Sequence, residues 1–171
     1  LSAAVSLLSL FLLNPAQANP RYSSIVIDAE SGAVLHQDSA DAIRYPASLT
    51  KMMTLYMLFE AMERGKMALD TPMKVSAHAA GMPQTNIGLR AGDSLKVRDA
   101  IPGLVVRSAN DAAAVVAEAL SSSEANFGRM MTDKARQLGM RSTTFRNASG
   151  LPNGEQKTTA RDMVTLATRL M

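Results

Sequence analysis

Residues 49–62 read LTKMMTLYMLFEAM, and this stretch decides the fold because it leaves almost no polar face. A helix of this kind is buried on most sides, and Gly65 stands where such a helix would end. We therefore predict a buried helix that forms the core of the domain. Lys51 falls in its first turn, and Ser48 opens it.

The composition limits the kind of protein this can be. The 171 residues are 47% hydrophobic and 19% charged, which fits one folded domain. The chain has no cysteine and only two histidines, which excludes a disulfide scaffold, a cysteine nucleophile and a cysteine- or histidine-rich metal site. We predict no metal and no cofactor. The net charge of +3 comes from scattered basic residues, so no nucleic-acid partner is expected.

The first residues have the features of an export signal. Residues 3–13 form an apolar run that is too short to span a bilayer, and Ala16-Gln17-Ala18 follows as a cleavage pattern. We predict a signal peptide at residues 1–18, clipped at its start because the chain opens with Leu1 and carries no charge before Arg21. The alternative is a buried N-terminal helix. Residues 19–171 would then be the exported part.

The remaining pattern predicts an α+β fold. Residues 22–28 and 33–37 alternate around a turn and predict a β-hairpin. Residues 72–93 are rich in turn residues and predict at most a helical turn at 76–80. Further helices are predicted at residues 97–107, with a kink at Pro102, and at residues 111–120. A third is predicted to start from a capping box of Ser121 and Glu124 and to end at about residue 138. A fourth is predicted at residues 160–171 and starts from Thr159 with Asp162. Any remaining strands are expected beyond Met171.

Ser48 and Lys51 form a possible nucleophile and base. A hydroxyl at a helix N-terminus lies where free backbone N–H groups favour negative charge. Lys51 lies one turn later on the same face. A lysine accepts a serine proton only when its amine is neutral, and the apolar helix supplies a desolvating site. The alternative is a helix-capping serine followed by a surface lysine.

Ser108-Ala109-Asn110 is the second candidate element. It falls in a predicted loop between two apolar helices, where polar side chains need partners. One of these side chains could instead cap the helix that begins at Asp111. Both roles can coexist.

The order and flanks of these motifs resemble the low-molecular-weight penicillin-binding proteins, which are serine D-alanyl-D-alanine carboxypeptidases of the penicillin-recognising superfamily. Ser-x-x-Lys, a Ser-x-Asn element and Lys-Thr-Gly are the signature of that superfamily. The similarity extends over most of the chain after residue 18, at residues 25–28, 32, 34–35, 45–52, 86–89, 92–93, 104–113, 145–147, 150–152 and 159–163.

The resemblance implies a β-lactamase/transpeptidase-like fold, with a helical cluster against an antiparallel sheet. It also implies acyl transfer on peptidoglycan stem peptides at the periplasm or the outer face of the bacterial cytoplasmic membrane. Ser48 would attack the carbonyl between the last two D-alanines, and Lys51 would accept its proton. Ser108 would relay a proton to the leaving D-alanine, and Asn110 would bind the substrate amide and hold Lys51. A β-lactam would acylate the same serine.

The sequence departs from the family pattern at the third motif. No Lys-Thr-Gly occurs, and Lys157-Thr158-Thr159 lacks the glycine. The missing motif is expected on a strand beyond Met171, as is any membrane anchor, so we expect the 171-residue piece alone to be inactive or strongly impaired.

Three alternatives remain at this stage. A D,D-endopeptidase of the same family would cut a different amide, and a non-catalytic cell-wall binding or shape protein could keep the fold. A class A β-lactamase needs a carboxylate in a Glu-x-x-Leu-Asn setting. Neither Glu118 nor Glu124 has that setting.

Overall fold

The computed structural model describes residues 21–171, so the predicted signal peptide at residues 1–18 lies outside the described residues. Within residues 21–171, four short strands and six α-helices follow one another in mixed order. The strands are β1 (Ser24–Ile27), β2 (Val34–Asp38), β3 (Pro72–Lys74) and β4 (Ser94–Lys96). The helices are α1 (Thr50–Glu63), α2 (Ala77–Ala80), α3 (Val97–Val105), α4 (Asn110–Leu120), α5 (Glu124–Gln137) and α6 (Ala160–Leu170).

The N-terminal hairpin is confirmed. Strands β1 and β2 pair antiparallel, with Ser24 opposite Asp38. The Asp28 carboxylate closes the turn by accepting hydrogen bonds from the backbone N–H and the hydroxyl of Ser31, at 2.8 and 2.6 Å. Gly32 then takes a φ of +72°, a conformation that glycine adopts without steric cost.

The predicted buried helix is confirmed as α1. Met53 and Leu58 are completely buried, and Gly65 takes a φ of +68° two residues beyond the helix. A second helix, α4, is enclosed even more fully, since all residues from 110 to 117 are buried. It packs against α1, α2, α3 and α5. The core of the described chain therefore lies between α1 and α4.

The second sheet was not predicted. Strands β3 and β4 pair antiparallel within and next to the segment that the sequence marked as turn-rich, with the buried Met73 opposite the buried Leu95. Each strand has three residues, which is too short for alternation to be recognised. Pro72 opens β3, a position where the missing N–H is tolerated.

Of the two predicted N-terminal helix caps, one is confirmed and the other is wrong. Thr159 caps α6 as predicted, accepting a hydrogen bond from the backbone N–H of Asp162 at 3.1 Å. The predicted capping box of Ser121 and Glu124 is wrong, because Ser123 caps α5 by accepting from Asn126 N at 3.2 Å. The Glu124 carboxylate is hydrogen-bonded to other parts of the fold.

Helix α3 contains Pro102, as predicted, and ends at Val105. Within residues 21–171, none of the helices has both the length and the apolar character that crossing a bilayer requires. The α+β class is confirmed, with helices around a buried core and two antiparallel strand pairs.

Candidate active site

Ser48 lies in the turn that leads into α1. Residues Ala47–Leu49 form a 3-10 turn, so the serine stands just before the α-helix, not in its first turn. The backbone enters this turn with Ala47 at a φ of +45°. Ser48 is exposed, whereas the neighbouring Pro46 is buried. The hydroxyl is therefore presented to solvent by a backbone that is anchored on both sides.

Lys51 lies one turn further along and is only 4% exposed. Its ammonium nitrogen donates to Asn110 Oδ1 at 2.8 Å and to the carbonyl oxygen of Ser149 at 2.6 Å. Both acceptors are neutral oxygens. Burial lowers the pKa of Lys51 from 10.5 to about 8, because a charged amine loses hydration that neutral oxygens replace incompletely. Lys51 is thus a buried lysine and not a surface one.

Asn110 is the first residue of α4, and its amide is fixed in orientation. Its Nδ2 donates to the carbonyl oxygen of Pro83 at 2.9 Å, which leaves Oδ1 directed at Lys51. The backbone N–H of Asn110 donates to Thr85 O at 2.7 Å. The loop around residues 83–85 therefore holds Asn110 in place.

The buried carboxylate of Asp111 supports the same loop. It accepts hydrogen bonds from the backbone N–H groups of Ile87 and Leu89, each at 3.1 Å. This interaction ties residues 87–89 to the start of α4, directly beside Asn110. The sequence did not single out Asp111 for this role, although it belongs to the motif that carries the resemblance.

Ser108 occupies a strained position between α3 and α4. Its φ of +54° is rare for a residue with a side chain and costs about 1–3 kcal/mol. Its carbonyl accepts from the Thr85 hydroxyl at 2.8 Å. Its own hydroxyl oxygen is buried and has no hydrogen-bond partner among the described residues. An unpaired buried hydroxyl is unusual, and this one belongs to a residue that lines the cavity at Ser48.

Two adjoining cavities bring the predicted residues together at Ser48. The larger has a volume of about 680 Å³, and its lining includes Ser48, Lys51 and Ser108. The smaller has a volume of about 250 Å³, and its lining includes Ser48, Asn110 and Ser149. Ser48 is shared by both, so a molecule bound across it would contact all four predicted residues.

The turn at residues 147–150 is the part of the site that the sequence reasoning missed. It supplies the Ser149 carbonyl that binds Lys51. A backbone carbonyl has no residue-type signature, so only the neighbouring Gly150-Leu151-Pro152 gave a signal. Gly150 takes a φ of +90°, and a Cβ placed there would overlap the backbone carbonyl of Ala47. The turn therefore packs directly against the backbone that carries Ser48.

This arrangement can activate a hydroxyl nucleophile. With a pKa of about 8, roughly one Lys51 amine in ten is neutral at pH 7. An unperturbed lysine would be neutral far less often. The site thus combines an exposed serine with an amine able to accept a proton near neutral pH.

Known proteins share this sequence and structure. A sequence profile described as D-alanyl-D-alanine carboxypeptidase matches residues 15–171. The D-alanyl-D-alanine carboxypeptidase DacF of Bacillus subtilis (strain 168) is 34% identical over 154 residues, which cover 90% of this chain and 40% of that protein. The chain therefore spans about two fifths of the length of this curated relative.

Solved structures agree with the sequence match. The D-alanyl-D-alanine carboxypeptidase DacD of Francisella tularensis superposes with a TM-score of 0.84 at 36% identity, covering 85% of this chain and 35% of that one. The ampicillin-bound Penicillin-Binding Protein D2 of Listeria monocytogenes superposes with a TM-score of 0.71 at 29% identity, covering 91% of this chain and 63% of that one.

These superpositions confirm the predicted β-lactamase/transpeptidase-like fold, of which this chain contains a part. The sequence profile covers nearly the whole length, and the superposition on the Francisella tularensis structure covers 85% of this chain. The chain belongs to the D-alanyl-D-alanine carboxypeptidase family, peptidase family S11.

Proposed function

We propose that the protein carrying this chain is a serine D,D-carboxypeptidase that removes the terminal D-alanine from peptidoglycan stem peptides. The observation that carries this proposal is the burial of Lys51 between two neutral oxygens, beside an exposed serine. A lysine in such a setting serves as a base at neutral pH, which a lysine paired with a carboxylate does not.

The proposed reaction proceeds through an acyl-enzyme. Ser48 Oγ attacks the carbonyl carbon between the last two D-alanines while the neutral Lys51 amine takes the hydroxyl proton. The peptide C–N bond then breaks as the proton on Lys51 passes through the Ser108 hydroxyl to the leaving D-alanine nitrogen, which leaves Lys51 neutral again. Asn110 holds Lys51 and binds the substrate amide. Water then attacks the ester, its proton goes to the amine, and Ser48 is released with its hydroxyl restored.

A β-lactam would enter the same pathway. Attack by Ser48 on the ring carbonyl breaks the strained C–N bond and leaves a covalent ester. The ampicillin-bound Listeria monocytogenes relative supports penicillins as ligands of this site. We further propose that residues 19–171 are exported to the periplasm or the outer face of the cytoplasmic membrane, which the signal-like residues 1–18 support.

The test is covalent labelling of the protein that carries this chain. A fluorescent penicillin should add its mass to one peptide, the one that contains Ser48, and a D-Ala-D-Ala stem peptide should lose D-alanine. Ser48→Ala should abolish both. Ser122→Ala, a change at an exposed serine after α4, should abolish neither. A protein that forms no adduct would favour a non-catalytic cell-wall binding role.

A further inference from the structure

The turn at residues 147–150 is hydrogen-bonded to α1 and to α5, and its Asn147 N–H also donates to Gln156 Oε1 at 3.2 Å. Lys51 Nζ donates to Ser149 O at 2.6 Å, and the Thr54 hydroxyl donates to Ala148 O at 2.7 Å. A further bond comes from Glu124, whose Oε1 accepts from the backbone N–H of Ala148 at 3.0 Å. Lys51 and Thr54 both lie on α1, whereas Glu124 lies on α5.

Glu124 is itself braced. Its second oxygen, Oε2, is hydrogen-bonded to His78 Nε2 at 2.7 Å, and its side chain is only 11% exposed. His78 lies on α2, which Ser76 caps by accepting from Ala79 N at 2.9 Å. Both carboxylate oxygens therefore bind groups outside α5. A carboxylate at a helix N-terminus can stabilise its own helix through the helix dipole alone, without such partners.

The contacts run without a gap from Glu124 to the proposed base. Ala148 and Ser149 are adjacent and nearly fully buried, so close packing leaves little room for one to shift without the other. Gly150, the next residue, packs against the Ala47 backbone beside Ser48. The position of this one turn thus affects both the amine and the backbone that presents the hydroxyl.

We propose that Glu124, braced by His78, is a positioning residue that holds the Ser149 carbonyl against Lys51 and thereby sets the rate of Ser48 acylation. The assignment rests on the proposed function, because it concerns the step in which Lys51 takes the Ser48 proton. Glu124 contacts neither the substrate nor the reacting atoms in this scheme.

The test separates the chemical step from folding and from binding. The protein that carries this chain is mixed with penicillin over a range of concentrations, which gives the acylation rate constant at saturation and the dissociation constant before acylation. Rates are divided by the fraction of protein that finally becomes labelled. A merely structural loss would lower that fraction and the melting temperature but not the rate constant of the folded molecules.

Glu124→Ala removes the acceptor of the Ala148 N–H and should lower the acylation rate constant about tenfold, the scale of losing one buried hydrogen bond. The dissociation constant should change little. Glu124→Gln keeps an acceptor oxygen and should restore most of the rate. If Glu124→Ala does not accumulate as folded protein, Glu124→Met gives the same comparison with a side chain of similar length.

Glu118→Ala is the matched control. Glu118 is also a half-buried glutamate next to α2, where it accepts from the Ser76 hydroxyl at 3.0 Å, and within the described residues it makes no hydrogen bond to the turn. Its loss should leave the acylation rate constant unchanged. An unchanged rate constant in Glu124→Ala, or an equal loss in Glu118→Ala, would overturn the assignment while the proposed function stands. A wild-type protein without an adduct at Ser48 would overturn both.

Discussion

A largely buried lysine lies near each end of α1, and the two lysines differ in the charge of their partners. Near the C-terminal end, Lys134 of α5 donates to the Glu60 carboxylate at 2.7 Å, and Arg64 shares the same carboxylate. Near the N-terminal end, the partners of Lys51 within residues 21–171 are an amide oxygen and a backbone carbonyl. A carboxylate stabilises the ammonium, whereas neutral oxygens in a buried site allow the proton to leave. The first arrangement suits a structural ion pair, and the second suits a base.

The strongest test of this contrast removes each amine in turn. Lys51→Met should lower the rate of penicillin acylation about 10³-fold, within the range that general-base catalysis contributes. Lys134→Met should leave that rate within about twofold, because a partly exposed ion pair contributes little. Both rates are measured on folded protein at pH 7. Similar losses in the two variants would contradict the assignment of Lys51 as the base.

A second change disturbs the N-terminal end of α1, where Lys51 binds neutral oxygens, without removing any charge. Gly150→Ala adds a Cβ where the Ala47 carbonyl lies and imposes an unfavourable φ of +90°. The turn and the Ser48 backbone cannot both stay in place, so acylation should fall about 10²-fold, the effect of misplacing reacting groups by about 1 Å. Gly154→Ala is the control, because a Cβ there meets no atom within 4 Å. Equal activity of the two variants would contradict the close packing.

A third change converts the environment of Lys51 into that of Lys134. Asn110→Asp places a carboxylate beside the amine, which favours the ammonium and raises the pKa of Lys51 from about 8. Less neutral amine is then present at pH 7, so acylation should fall about tenfold there, and the rising limb of its pH profile should move upward by about one unit. Asn110→Ala serves as the control for the lost amide contacts. A profile that does not move would mean that Lys51 does not set it.

The smallest expected effect is on stability. The folded-state pKa of Lys51 is depressed, so between pH 8 and 10.5 the unfolded chain binds more protons than the folded chain. The burial penalty of the ammonium is complete below about pH 8 and disappears as the pH rises toward 10.5. The free energy of unfolding of the wild type, relative to Lys51→Met, should therefore increase across this range. Chemical denaturation at several pH values measures it, and a decrease would contradict the burial of a neutral amine.

The sequence predicted the elements that have strong local signals. The hairpin, α1 and the Thr159 cap of α6 follow from alternation, an apolar stretch and capping chemistry. The three-residue strands β3 and β4 have no detectable period, and their pairing depends on contacts twenty or more residues apart. The Ser121 cap was wrong because three successive serines offered the same hydroxyl, and only the course of the backbone selects Ser123.

The candidate site divides in the same way. Ser48, Lys51, Ser108 and Asn110 were predicted because each has a side chain with recognisable chemistry in a recognisable spacing. The Ser149 carbonyl, the Thr54 hydroxyl and the Glu124 carboxylate were not, because their roles arise from proximity across the fold. His78 belongs to none of the sequence motifs, yet it is hydrogen-bonded to Glu124, 46 residues away.

Ser108 combines two features that lower stability with a proposed role in catalysis. Its backbone adopts a φ of +54°, and its hydroxyl is buried without a partner among the described residues. Glycine at this position would relieve both costs, and it would also remove the proposed proton relay. A library of variants selected only for thermal resistance should therefore accumulate Ser108→Gly, whereas selection in growing cells should retain the serine.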